Sequence, residues 1–125
     1  MIKFRAWDEE SQRMFNIARF DFADYTVYSH LFACDGYLGE NLEIMQYTGL
    51  EDKNGVETFE GDVVKNDSVP NPFISNKYFE IIRARSGEWR MDNYRGGQVL
   101  SFGNHEVEII GNKFENRELL EEWLG

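Results

Sequence analysis

Tyr78-Phe79-Glu80-Ile81-Ile82-Arg83-Ala84-Arg85 and Glu88-Trp89-Arg90-Met91-Asp92-Asn93-Tyr94 flank Ser86-Gly87, and this stretch decides the fold class. Aromatic residues on both arms and isoleucines on the first, with Gly at the joint, describe an antiparallel hairpin. A two-residue turn at Ser86-Gly87 predicts Ala84 opposite Trp89 and Ile82 opposite Met91 on a core face. The other face then carries Arg85 opposite Glu88 and Arg83 opposite Arg90, with Ile81 and Asp92 beyond. The register matters, because a slip of one residue exchanges the two faces.

The same patterning recurs outward from this hairpin. Ile2 to Trp7 alternates, Asp8-Glu9-Glu10-Ser11 is a polar turn, and Arg13 to Ile17 returns as a partner strand. In that reading Lys3 and Arg5 face outward and blunt an exposed edge. Tyr25 to Phe32 and Leu42 to Tyr47 are further strands, the second closed by Thr48-Gly49. Asp52-Lys53-Asn54-Gly55 is a turn, since Asn and Gly tolerate positive φ and Asp bonds its own downstream backbone. Asp62 to Lys65 opens another strand. Asp67 to Lys77 holds both prolines, which exclude a central strand there. Gly96-Gly97 is expected to break the ribbon before strands at Val99 to Phe102 and Glu106 to Ile110. One helix is expected, at the C-terminus, with Asn116 as N-cap and a stripe of Leu119, Leu120, Trp123 and Leu124. Two turns long, it forms only if docked.

Short strands about ten residues apart predict a mainly β fold of antiparallel sheets, barrel- or sandwich-like, with one short C-terminal helix. The chain, residues 1–125, reads as a single domain. Its 15% aromatic content suits packed sheet faces. The one cysteine, Cys34, excludes an internal disulfide. With no leader pattern and no long apolar run, the expected location is the cytoplasm and no membrane contact is predicted.

The formal charge of −10, from 23 acidic and 13 basic side chains, repels phosphate backbones at long range; its ordinary role is solubility, and the sharper alternative is attraction of a basic partner. His30, Cys34 and His105 lack zinc spacing. Glu51, Asp52, Asn54, Glu57, Glu60 and Asp62 form an oxygen-rich stretch, but the glycine of Asp52-Lys53-Asn54-Gly55 comes too early for a calcium loop of the EF-hand type. Gly96-Gly97 is not followed by the Lys-Ser/Thr of a phosphate loop. No catalytic residue, metal ligand or cofactor site is therefore assigned. Arg83, Arg85 and Arg90 are the candidate partner-binding residues, because a ribbon bearing arginines can enter a major groove.

Three stretches together carry a resemblance. They are Ile2-Lys3-Phe4-Arg5-Ala6-Trp7-Asp8; Ile44-Met45-Gln46-Tyr47-Thr48-Gly49-Leu50 through to Phe59-Glu60-Gly61-Asp62-Val63-Val64; and Ile109-Ile110-Gly111-Asn112 with Phe114-Glu115-Asn116 and Leu119-Leu120. In that order they resemble the YopX family of bacteriophage and prophage proteins. The resemblance implies a mostly β fold and life in the cytoplasm of a bacterial host; it implies no activity. Gly61-Asp62-Val63-Val64 is also similar to the opening strand of SH3-like barrels, a likeness of fold only. Most of the shared residues specify the fold, whereas Gln46, Thr48, Asp52, Asn54, Glu60 and Asp62 form a candidate polar cluster at one rim. The expected function is a non-enzymatic accessory module that binds a protein or a second copy of itself. Nucleic-acid binding through the arginine hairpin, and a metal-dependent enzyme built on residues 51–62, are the alternatives.

Overall fold

The computed structural model describes residues 2–23, 26–29, 36–37, 42–66, 78–93 and 96–118, residues 36–37 by backbone alone. The predicted loop at 67–77, His30, Cys34 and the helix stripe from Leu119 onward lie outside the described residues. Eleven strands are described: β1 (Phe4–Asp8), β2 (Arg13–Asp21), β3 (Thr26–Ser29), β4 (Gly36–Tyr37), β5 (Leu42–Glu51), β6 (Glu57–Phe59), β7 (Asp62–Lys65), β8 (Tyr78–Arg83), β9 (Trp89–Asn93), β10 (Gly96–Val99) and β11 (Glu108–Asn112). A single helical turn, α1 (Leu100–Gly103), runs into a 3-10 turn at Asn104–Glu106. The fold is mainly β, and every strand pair with a defined register is antiparallel. The strand orders are β4-β3-β2-β1-β5-β6 and β10-β9-β8-β7-β11. Neither order returns to its first strand, so the described strands form open sheets rather than a closed barrel. No helix among the described residues is long and apolar enough to cross a membrane.

By contacts the chain divides into two compact units, Met1–Tyr47 and Thr48–Gly125. In the first, the expected hairpin forms, with Arg5 opposite Asn16 and Asp8 opposite Arg13. Asp8 closes its turn by accepting the Glu10 N–H at 3.0 Å and the Ser11 hydroxyl at 2.8 Å. β1 is an interior strand, flanked by β2 on one side and by the first half of β5 on the other. Lys3 and Arg5 therefore do not guard an edge. Ala6 and Trp7 are both buried, as a strand covered on both faces requires. β2 is longer than expected, carrying a bulge at Ala18, and pairs Arg19 with Tyr28, its guanidinium 4.1 Å from the ring centroid.

The second unit has the larger core: Val64, Ile81, Met91, Leu100 and Val107, with Leu50, Phe79, Trp89 and Ile109 packed on it. β5 does not stop at Thr48-Gly49 but runs on to Glu51. Gly96 and Gly97 do not break the ribbon either; they open β10, which pairs with β9. Leu100 and Phe102 belong to a helical turn, not a strand. Leu100 points into the core, fully buried, while Phe102 is 71% exposed. The predicted C-terminal helix begins where expected, Arg117 and Glu118 being helical.

Candidate functional site

The arginine hairpin exists, but with a different register. Ile81 pairs with Met91, Ile82 with Arg90 and Arg83 with Trp89, one residue out from the two-residue expectation. The loop is three residues long: the Gly87 N–H donates to Ala84 O and the Ala84 N–H to Glu88 O, both at 2.9 Å. Gly87 sits at φ 101, where a side chain is strained. The consequence is large, because faces alternate along a strand. Arg83 falls on the face of Ile81 and Met91, reaching over Trp89 at 5.7 Å from its centroid. Arg90 falls on the opposite face, held by the Asp92 carboxylate at 3.0 and 3.2 Å. Arg85 is in the turn and exposed. Pairing therefore does not gather the three guanidiniums on one face.

The oxygen-rich stretch folds into turns. The loop from Asp52 to Val56 repeats the hairpin design just described. The Gly55 N–H donates to Asp52 O at 3.0 Å and the Asp52 N–H to Val56 O at 2.8 Å, with Gly55 at φ 79. The buried Asp52 carboxylate accepts three backbone N–H groups: Asn54 at 2.8 Å and Val56 at 2.9 Å on Oδ1, and Ile109 at 3.1 Å on Oδ2. Beside it the Lys53 N–H donates to Val107 O at 2.9 Å, and Asn104 Nδ2 donates to Glu51 O at 2.7 Å. The turn is thereby clamped along the border of β11.

Asp62, also buried, accepts the Phe59 N–H at 2.8 Å and so fixes the β6–β7 turn. Thr58 donates its hydroxyl proton to Leu50 O at 2.8 Å, so in the 2.5 Å contact between the two hydroxyls Thr48 is the donor. The Leu50 N–H in turn donates to Thr48 Oγ1 at 3.1 Å. Gln46 lies in the first unit, opposite Phe4. Of the candidate cluster, Thr48, Asp52 and Asp62 thus hold backbone in place, and Asn54 enters through its main chain. Asn112 does the same work near the C-terminus, its Oδ1 accepting the Phe114 and Glu115 N–H groups at 3.0 and 2.9 Å.

One group was missed by sequence reasoning. Glu80, on β8 opposite Val63 and Asp92, has its carboxyl pushed above the ordinary range by burial. The Lys113 ammonium opposes that shift and the Glu60 carboxylate adds to it. The charged form is disfavoured in the folded chain, so the fold holds more protons than the unfolded chain. Stability from this group is full below the unfolded pKa, near 4.5, and is lost as pH rises through the raised folded value. Glu80→Gln is accordingly expected to stabilise the chain at neutral pH by less than about 1 kcal/mol, because the site remains partly solvated. The gain over the parent should vanish as pH falls to 4.5, measured by urea unfolding. A variant equally favoured at both pH values would contradict this. No group of three or more metal-ligating side chains occurs among the described residues.

Among curated proteins none matches the chain. Among solved structures the chain is similar to the crystal structure of protein EF1440 from Enterococcus faecalis, with a TM-score of 0.65 and 28% sequence identity. The likeness covers 96% of this chain and 98% of that one. The family model described as YopX protein matches residues 3–121, which takes in the three stretches that carry the resemblance except for Ile2. The chain belongs to the YopX family.

Proposed function

We propose that this chain is a phage- or prophage-encoded accessory protein that acts in the bacterial cytoplasm as a non-enzymatic binding module, and that its partner is a protein with a basic surface. The observation that carries the reading is Phe22, a large aromatic 76% exposed, with the ring of Phe20 tilted against it, centroids 4.3 Å apart. Aromatic side chains that find a matching pocket dominate protein interfaces. The charge of −10 steers such an encounter toward a cationic partner. Further support is that the two buried acids of the family stretches, Asp52 and Asp62, bind backbone amides.

Capture from lysate of the phage's host, followed by native mass measurement, tests the proposal. The parent chain is expected to retain a basic protein in a salt-sensitive manner. Phe22→Ser should weaken that complex by about tenfold or more, the loss typical of a central aromatic anchor. Phe102→Ser serves as the control for general loss of exposed apolar surface. Retention unaffected by Phe22→Ser, or a low-salt shift of nucleic acid in place of protein, would overturn the proposal. Heat on titration with magnesium, manganese or calcium would favour the metal-dependent alternative.

A further inference from the structure

Asn54-Gly55 is the one place in the chain where asparagine precedes glycine. Both residues are exposed, and a Cβ built on Gly55 would meet only Glu51 Oε2, at 3.8 Å. The Gly55 backbone nitrogen is therefore unshielded by any side chain of its own and lies one bond from Asn54. We propose that Asn54 is a site of spontaneous deamidation and that the Asp52 clamp sets its rate.

The step balances without any partner but water. The Gly55 nitrogen gives its proton to solvent base and bonds to Asn54 Cγ. The bond from Cγ to the side-chain nitrogen breaks, and ammonia leaves. Water then opens the five-membered imide at either carbonyl, leaving an isoaspartyl or an aspartyl residue with one added negative charge. No electron transfer is involved.

In the folded turn the nucleophile is restrained. The Gly55 N–H is bonded to Asp52 O, and the Asn54 N–H and Val56 N–H are bonded to Asp52 Oδ1. Ring closure needs the Gly55 peptide to rotate, which breaks the first of these bonds. The reactive species is thus the locally opened turn, and its population depends on how firmly Asp52 holds. The isoaspartyl product lengthens the main chain by one methylene in a loop of fixed length. It also places a carboxylate beside Asp52 and Glu51. Both effects prevent the turn from closing again, so one slow, irreversible event detaches it from Val107 and Ile109.

Peptide mapping by mass spectrometry after incubation of the full chain in mildly alkaline buffer tests the proposal. Asn54 is expected to convert before every other asparagine, with isoaspartate the major product. Conversion should be roughly tenfold faster in Asp52→Ala, as expected for loss of hydrogen bonds to a charged acceptor. Circular dichroism checks that this variant is folded. Should it not be, the parent chain incubated in urea supplies the same comparison. Earlier conversion of a different asparagine overturns the site. Equal rates for Asn54 in native buffer and in urea overturn the role of the clamp.

Discussion

Asp52→Ala is expected to lower the unfolding free energy by about 3 kcal/mol, measured as a fall in the urea midpoint at unchanged slope. Three N–H groups lose their acceptor together. Those of Asn54 and Val56 can turn to water in an exposed loop. The Ile109 N–H is different: it lies on a residue packed against the main core, and its acceptor comes from 57 positions away. A donor stranded there incurs its desolvation cost in full. Asp52→Asn should lose less, because the amide oxygen can still accept for the turn while its NH2 cannot serve Ile109. Hydrogen exchange should quicken at Ile109 in both variants. A midpoint for Asp52→Ala within about 0.5 kcal/mol of the parent would show that the clamp contributes little, since that is the usual range for surface changes.

A second large loss is expected from Gly97→Ala, at a position that looks harmless because it is exposed. The added methyl would stand 2.0 Å from Met91 O and 2.7 Å from Asp92 Cα. Both are backbone atoms of the neighbouring strand, so no rotamer change relieves the overlap. β10 must move away from β9, breaking the pairing of Gly97 with Asp92 and loosening Gln98 opposite Met91. About 3 kcal/mol is expected, at the upper end for overpacking. Urea unfolding and exchange of the Gly96–Val99 amides report it. Gly111→Ala makes a useful contrast, because the atoms in its way belong to the Asn116 side chain, nearest at 2.4 Å. That side chain can swing aside, at the cost of the bond it accepts from the Asn112 N–H.

Those two glycines show where the sequence was legible and where it was not. Much of the strand content was readable: β7, β8 and β9 fall inside the expected stretches, while β1 runs one residue past its stretch, to Asp8, and β2 runs on past Ile17 to Asp21. Asp52-Lys53-Asn54-Gly55 was readable as a turn because Asp and Gly impose its geometry locally. The hairpin at Ser86-Gly87 was readable too, but its register was not. Arg85 joins the loop, and whether a loop holds two residues or three is decided by which pairing buries Ile81 and Met91. That choice is made across strands. α1 was illegible for a related reason: Val99 to Phe102 alternates like a strand, yet Leu100 alone fits the core, and the chain must turn to place it. Gly97 read as a breaker since its partner backbone was unknown.

The candidate site followed the same division. Asp52 and Asp62 could be singled out by type, but their task depended on Ile109 and Phe59 arriving at the carboxylates. Glu80 gave no signal at all, because its neighbours Glu60 and Lys113 come from distant parts of the chain. The arginine face failed with the register. Membership of the YopX family was legible from three separated stretches, and those stretches contain the turn residues that the structure finds holding the backbone.

The attachment of the Asp52–Val56 loop along β11 has a bearing on self-association. Lys53 and Asp52 occupy the outward main-chain groups of Val107 and Ile109, the very groups an incoming strand would need. A strand approaching the β10-β9-β8-β7-β11 sheet along β11 would find those groups already bonded, so a loop of five residues blunts that edge against pairing with a second copy.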